Sequence, residues 1–419
     1  QLLEQDLGCA PHVLARLADD LDADAATIRE VVQRLTPDQR HGLRPAPTPL
    51  PLVPAIAQRF EGVAFDERDR RLLLALAVCL DDALDPILEF DGRSAAEVTS
   101  ARVGAHLAVH AGRVRFIDAR LAIWLRATTS AAETAAVHGR LSAVFRRRGE
   151  RVSADWHRAR ASLEAEPTTA PELTLIAREL SEAGYPDRAL LLAREACEHA
   201  VGEDQDEARL VAGASAVGAG FAAEAAAWLG TLYPHGTERY RLAGLGALIV
   251  AQTVVQGAVP EIDPTSLRPE TPDEDDWHHW TRAAALAAIL CAERGDRRGM
   301  RTWLDALRDG ASRIGAEHEL RDPVVALSWL LVGDHDIEEV AGSGPVSGGM
   351  LRTLRAAVEG DVDLALRLIA TDESALSGEP DPFVPGYEHS PVVQAYRAVV
   401  EVLLLVWRGD IGVARDRLI

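Results

Sequence analysis

Apolar positions recur at helical spacing along most of the chain, and prolines interrupt them near the N-terminus. One short helix is predicted to restart at Thr36, because this capping residue precedes Pro37 at the first helical position. The run 45–51 carries four prolines and cannot be helical, since proline lacks the N–H that a helix needs. The first segment, residues 1–62, is therefore predicted to consist of short, broken helices.

The second segment begins with longer helical patterns. The run 72–80 is apolar on nearly all sides, which predicts a buried helix. Ser94 and Glu97 have the spacing of a capping box, and the helix that they begin is expected to extend to about Val109.

The most strand-like segment follows Gly112. In residues 113–116 a valine and a phenylalanine alternate with two arginines, which is the period of a half-buried strand. Three helices, a glycine turn and a short wing is the element order of a winged helix. We therefore predict a winged-helix-like domain over residues 63–130.

From residue 131 onward, one helix follows another and a glycine signature recurs. A glycine ends a helix, the fifth residue after it is usually alanine, and a bulky apolar residue comes soon afterwards. The sets are Gly184/Ala189/Leu192, Gly220/Ala225/Trp228, Gly295/Met300/Trp303, Gly360/Ala365/Leu368 and Gly409/Ala414/Leu418. Glycine supplies a left-handed cap, and a small residue lets paired helices approach closely. Intervals of about 36 residues, or about twice that, predict a tetratricopeptide-like α-solenoid over residues 131–419. The expected fold class is all-α throughout.

The charges exclude several kinds of chemistry. The net charge is −21, and the sequence contains no lysine. A P-loop and a pyridoxal-phosphate site both require a lysine, so neither can be built here. A strongly acidic chain also repels phosphate backbones, which argues against direct contact with nucleic acid.

The four cysteines lie far apart in apolar, helix-like surroundings and form no CxxC pair, so we expect neither a zinc site nor a disulfide framework. Reduced, buried thiols fit a cytoplasmic location. The sequence shows no secretion signal and no apolar run that is long enough to cross a bilayer. Because it begins at Gln1 without a methionine and stops inside a helical pattern, we expect it to be a fragment.

Four polar clusters are candidate sites. Residues 275–280 and 334–338 have metal-like composition, but we interpret them as a helix start and a helix cap. Residues 146–148 are three arginines that complement the dipole at a helix end. Residues 155–157, Asp-Trp-His, lack a nearby nucleophile, and the tryptophan is expected to anchor the first repeat. No catalytic, metal-binding or cofactor-binding residue is therefore assigned.

Several segments resemble, in order, parts of the large ATP-binding regulators of the LuxR family, multidomain bacterial activators related to the maltose regulator. Residues 51–56 resemble the exit from that family's ATPase lid, which implies that residues 1–62 are a helical lid-like segment. Residues 113–116 resemble its wing strand. Residues 135–142 are similar to its "aaHraLA" helix and residues 154–159 to its "AWHLA" helix. Residues 179–189 follow where the family has its first repeat.

In that family an ATPase, a winged helix, a helical-repeat sensor region and a C-terminal helix-turn-helix follow one another. The resemblance covers residues 43–200 in detail and implies that the ATPase and the DNA-binding domain lie outside this sequence. The family continues from the wing strand with His-Pro, where this chain has Asp118 and Ala119. A histidine near this point contacts ADP in related signalling ATPases, so the resemblance does not carry nucleotide sensing over to this position.

The sequence thus predicts a protein that is not an enzyme and has no cofactor: the sensing and protein-interaction core of a LuxR-type regulator. The expected partners are a protein or small-molecule effector on the repeats, the ATPase and DNA-binding domains of the same parent protein, and a second copy in a homo-oligomer. No membrane partner is expected. The alternative is a free-standing tetratricopeptide-type adaptor. An arginine-dependent hydrolase would need a convergent acid/base pair, which the sequence does not show.

Overall fold

The computed structural model describes residues 8–270, 272–315, 345–371 and 391–418. Within these ranges the chain forms 21 α-helices, three short 3₁₀ helices and one two-stranded sheet, so the predicted all-α class is confirmed. The described chain divides into two compact units. The first comprises the described residues up to 176 together with 195–201, and the second comprises the remainder.

Capping residues set the limits of the first helices. Asp24 caps α2 by accepting a hydrogen bond from the backbone N–H of Ala26. Thr36 and Gln39 form a capping box at the start of α3. The proline run that follows contains no helix, as predicted. The four helices are α1 (Pro11–Asp20), α2 (Ala25–Arg34), α3 (Pro37–Arg40) and α4 (Pro54–Arg59).

Three helices, a β-hairpin and a fourth helix come next. Their bounds are α5 (Glu67–Val78), α6 (Leu84–Asp91), α7 (Ala95–Ser100), β1 (Leu107–His110), β2 (Arg113–Phe116) and α8 (Arg120–Thr128). Asp66 caps α5, and Leu72, Leu73 and Leu74 in its middle are all buried, which confirms the predicted buried helix. Ser94 and Glu97 form the predicted capping box on α7.

The predicted C-terminal end of helix α7 was wrong. It ends at Ser100 instead of Val109, and a 3₁₀ turn and strand β1 follow it. Gly104 turns the chain so tightly that a Cβ atom there would lie 2.2 Å from the carbonyl oxygen of Thr99. Strand β1 then pairs antiparallel with β2, with Leu107 opposite Phe116. This pairing with a later strand overrides the local helical pattern.

The rest of the described chain consists of helices, most of them joined in consecutive pairs by a glycine turn. The pairs are α9 (Ala131–Arg147) with α10 (Arg151–Ala161), α11 (Ala170–Glu182) with α12 (Pro186–His199), α13 (Glu203–Gly218) with α14 (Ala222–His235), α16 (Glu274–Glu293) with α17 (Arg297–Arg313), α18 (Pro345–Val358) with α19 (Val362–Thr371), and α20 (Pro391–Arg408) with α21 (Ile411–Leu418). Helix α15 (Glu238–Gln256) lies between the third and fourth pairs in sequence.

The five predicted glycine turns share one geometry. Each glycine has a φ between 69° and 95°, in the left-handed region. The next residue donates its N–H to the carbonyl five positions earlier, as Tyr185 does to Leu180 at 2.9 Å and Phe221 to Ala216 at 2.8 Å. This is the six-to-one bond of a Schellman cap. The fifth residue after each glycine is at most 3% exposed, including Met300, which is larger than the alanine found elsewhere.

The charge is distributed unevenly along the chain. The first 176 residues contain 22 arginines and 25 acidic residues, a net charge of −3. Residues 177–419 contain 22 arginines and 40 acidic residues, a net charge of −18. Most of the negative charge of the chain therefore lies in residues 177–419. Among the described helices, none has the length and hydropathy needed to cross a membrane.

Candidate functional site

Two of the family-like segments meet inside the α9–α10 pair. The segment 135–142 lies on α9 and the segment 154–159 on α10, and each contributes a histidine to the interface between the two helices. The Nδ1 atoms of His138 and His157 lie 2.8 Å apart, and the two residues are 2% and 0% exposed. A polar pair thus occupies a position where helix pairs usually bury apolar side chains.

Aromatic rings enclose this pair. Phe145 stacks on His157 with ring centroids 5.3 Å apart. Trp156 meets His138 and His157 edge-on, at 5.4 Å and 4.9 Å. The tryptophan that was expected to anchor the first repeat therefore packs directly on the histidines.

Burial decides the protonation of the pair. Burial, together with the guanidinium groups of Arg160 and Arg126, lowers the pKa of His138 to about 3. Burial beside His138 lowers the pKa of His157 to about 3 as well. Both rings are therefore neutral near pH 7, and a single proton is shared across the 2.8 Å contact.

The surroundings also select the tautomers. Within the described residues, Nε2 of His157 is buried without a hydrogen-bond partner. A buried N–H without an acceptor is rarer than a lone pair without a donor. We therefore assign the shared proton to Nδ1 of His157, which donates to Nδ1 of His138. Protonating His138 at Nδ1 would place two N–H groups against each other.

The neighbouring polar groups are occupied in structural contacts. The Ser142 hydroxyl donates to the carbonyl of Ala154 at 2.9 Å, which ties α9 to α10. Asp155 pairs with Arg158 at 3.6 Å. The acid and base of the Asp155-Trp156-His157 run thus have separate partners, and the arrangement holds two helices together without presenting a nucleophile.

A second polar centre joins the first helices to α8. Arg120 is 4% exposed, and it donates to Asp118 at 2.7 Å and to Asp24 at 2.8 Å. Arg59 of α4 donates to Asp118 too. Although burial opposes it, these hydrogen bonds hold the pKa of Asp118 below its usual value. Asp118, at the position where the regulators that the sequence resembles have histidine, is therefore occupied by arginines of this chain.

The arginines of the wing are also paired. Arg113 and Arg115 extend from β2 and both donate to Asp82, the second at 2.6 Å. These hydrogen bonds, from Arg115 foremost, lower the pKa of Asp82. Two of the three arginines at the end of α9 behave similarly: Arg147 pairs with Glu89 at 2.8 Å and Arg148 with Glu150 at 2.7 Å.

The Trp-His-His-Trp run opens α16, as predicted for a helix start. Asp273 caps the helix by accepting from the N–H of Asp275. Trp277 and Trp280 are buried, whereas His278 faces outward beside Glu274. Across the described residues, no group of three or more His, Cys, Asp or Glu side chains is placed to hold a metal ion. The cluster 334–338 lies outside the described residues.

One glycine turn was not predicted from the sequence, and it is the turn that positions the histidines. Gly149 has a φ of 77°, Glu150 donates to the carbonyl of Phe145 at 3.0 Å, and Ala154 is 3% exposed. Gly149 and Ala154 have the spacing of the other five turns, so the same signature would have found them. His157 then falls eight positions after the glycine, where four of the other five pairs carry leucine or tryptophan.

Comparison of this chain with protein-family models, with curated proteins and with solved structures finds no match. The resemblance to the LuxR-type regulators therefore stays a prediction.

Proposed function

We propose that this chain is the sensing and protein-interaction part of a LuxR-type transcription regulator and is not itself an enzyme. In this proposal the helical repeats receive an effector, and the preceding module relays binding to an ATPase outside the chain. Oligomerisation of the regulator follows. The cytoplasm is the proposed location.

One observation carries the proposal. Six helix pairs share the same turn, with a left-handed glycine, a six-to-one backbone bond and a buried residue five positions later. Such repetition is typical of solenoids, whose stacked helices offer an extended surface to partners. Function in a solenoid resides in that surface and not in a catalytic pocket.

The element order ahead of the repeats supports the winged-helix part of the proposal. Helices α5, α6 and α7 precede the β1–β2 hairpin, and an isolated bridge pairs Ala83, between α5 and α6, with Arg113. Helix α7 would be the one to read DNA in such a module. It has six residues and contains no arginine, so we assign the module a relay role instead of DNA contact.

The direct test is the DNA sequence on both sides of the codons for Gln1 and Ile419. We expect a Walker-type ATPase upstream and a helix-turn-helix downstream in the same reading frame. A start codon directly before Gln1 and a stop codon directly after Ile419 would contradict the regulator proposal. That result would favour a free-standing adaptor built from the same repeats.

A further inference from the structure

An open cleft of about 320 Å³ lies in the first unit, between α5, the end of α6 and α9. Its polar lining is dominated by guanidinium groups, those of Arg68, Arg71 and Arg140. Arg140 lies in the family-like segment 135–142, but none of the roles described above uses these three side chains. We propose that this cleft binds a phosphate or pyrophosphate group of a small ligand.

Contacts with the protein hold each of the three guanidinium groups in place. Arg140 donates to the carbonyl of Phe90 at 2.9 Å and lies over its ring, 4.3 Å from the centroid. Arg68 donates to the carbonyl of Asp91 at 3.0 Å. Arg71 donates to Glu67 at 2.7 Å. A guanidinium has five N–H groups, so most of these donors remain available within the described structure.

The acidic residues of the cleft do not cancel this charge. The Asp91 side chain is 3% exposed and is paired with Arg93 at 2.5 Å and with Arg68 at 3.4 Å. Arg93 in turn pairs with Asp69 at 2.9 Å, so Asp91 belongs to a buried ion-pair chain. Glu67 is 79% exposed and can turn away into solvent. Two cations, Arg71 and Arg140, thus face a single mobile carboxylate.

The chemistry of the donors selects the ligand. Guanidinium groups present planar forks that fit phosphate and carboxylate oxygens. The Arg71 and Arg140 forks, beside the Arg68 guanidinium that Asp91 pairs, favour an anion with more than one charge and several oxygens, which describes phosphate and pyrophosphate and not acetate. The nearly neutral first 176 residues, with a net charge of −3, repel such an anion far less than the repeats do.

The test is ³¹P NMR titration of the intact chain with pyrophosphate at constant ionic strength, with acetate as a competitor. We expect saturable binding that acetate does not displace. Arg71→Gln should weaken binding about tenfold, because it removes a charge-assisted hydrogen bond. Arg71→Gln/Arg140→Gln should abolish it.

The matched control is Arg34→Gln, an exposed arginine of α2 that lies outside the cleft, and it should bind as the parent does. Circular dichroism checks that each variant folds. Arg140 also packs on Phe90, so its replacement removes a packing contact as well as a charge. If the double variant does not fold, the Arg71→Gln variant alone tests the proposal. Unsaturable binding, displacement by acetate, or equal binding by the parent and Arg71→Gln would overturn the proposal.

Discussion

The helix pairs α9–α10 and α16–α17 have the same turn and different interiors. Gly149 and Gly295 have φ angles of 77° and 69°, and the residues five positions later, Ala154 and Met300, are both buried. The backbone bonds that close the two turns match as well. The turn is therefore determined by a few neighbouring residues, independently of what the helices bury.

The interiors differ in polarity. Eight positions after the glycine, α10 carries His157 and α17 carries Trp303, both fully or almost fully buried. In α16–α17 the indole N–H of Trp280 reaches the carbonyl of Pro264 at 3.3 Å. In α9–α10 the indole N–H of Trp156 is buried without a hydrogen-bond partner in the described structure. The α9–α10 interior should thus depend on the protonation of its buried histidine pair, whereas Trp303, at the equivalent position of α17, cannot titrate.

The largest expected effect concerns the apolar pair. Trp303→Ala removes a side chain that is 3% exposed, and we expect a loss of about 3–5 kcal/mol in the free energy of unfolding of the second unit. Urea denaturation at pH 7 measures this loss. Trp407→Ala, at a half-exposed position, is the control and should change stability by less than about 1 kcal/mol. A loss at Trp303 as small as the control's would contradict the packing account.

The second prediction concerns the histidine pair. His138→Leu leaves Nδ1 of His157 buried without its partner and should cost about 1–3 kcal/mol of the first unit's stability. His138→Leu/His157→Leu should recover most of this loss, because the corresponding residues of the next pair are Leu173 and Leu192, both buried. A double-mutant cycle in urea measures the coupling. Additive losses would show that the two rings do not depend on each other.

The smallest effect tests whether the turns are equivalent. A Cβ atom at Gly149 or Gly295 would meet nothing within 4 Å, so an alanine there suffers only from the left-handed backbone. Gly149→Ala and Gly295→Ala should each cost about 1–2 kcal/mol, measured by thermal or urea unfolding. Gly310→Ala is the contrast and should cost more, since its Cβ would collide with Oγ1 of the buried Thr281 and lie 3.2 Å from the Trp280 ring. Clearly unequal losses of stability in Gly149→Ala and Gly295→Ala would show that the two turns are not equivalent.

The turns and caps could be predicted from the sequence because short-range interactions determine them. Thr36, Ser94 and the signature glycines act on backbone groups within a few residues, so spacing alone locates them. For the same reason the Gly149 turn could have been predicted with the others.

Features that join distant residues could not be predicted in this way. Strand β1 forms because Leu107 pairs with Phe116, and the local helical pattern gave no sign of it. His138 and His157 are 19 residues apart and meet only when the helices pair. The arginines of the cleft lie on α5 and α9, so no spacing rule relates them.

The neutral histidine pair is tested most directly by the pH dependence of the first unit's stability, in the parent and in His138→Leu/His157→Leu. The folded pKa values, about 3, lie below the unfolded value of about 6.5. The unfolded chain therefore binds protons that the folded chain does not. The contribution of the pair is complete above pH 6.5 and is lost as the pH falls toward 3.

Between pH 5.5 and 4, the free energy of unfolding should decrease more steeply with falling pH in the parent than in the double variant. The two histidines make this difference in slope as large as about 2.7 kcal/mol per pH unit. Urea denaturation at several pH values gives both curves. The account predicts that the curves diverge as the pH falls. Parallel curves would contradict it, because they would mean that the two histidines are not held neutral inside the helix pair.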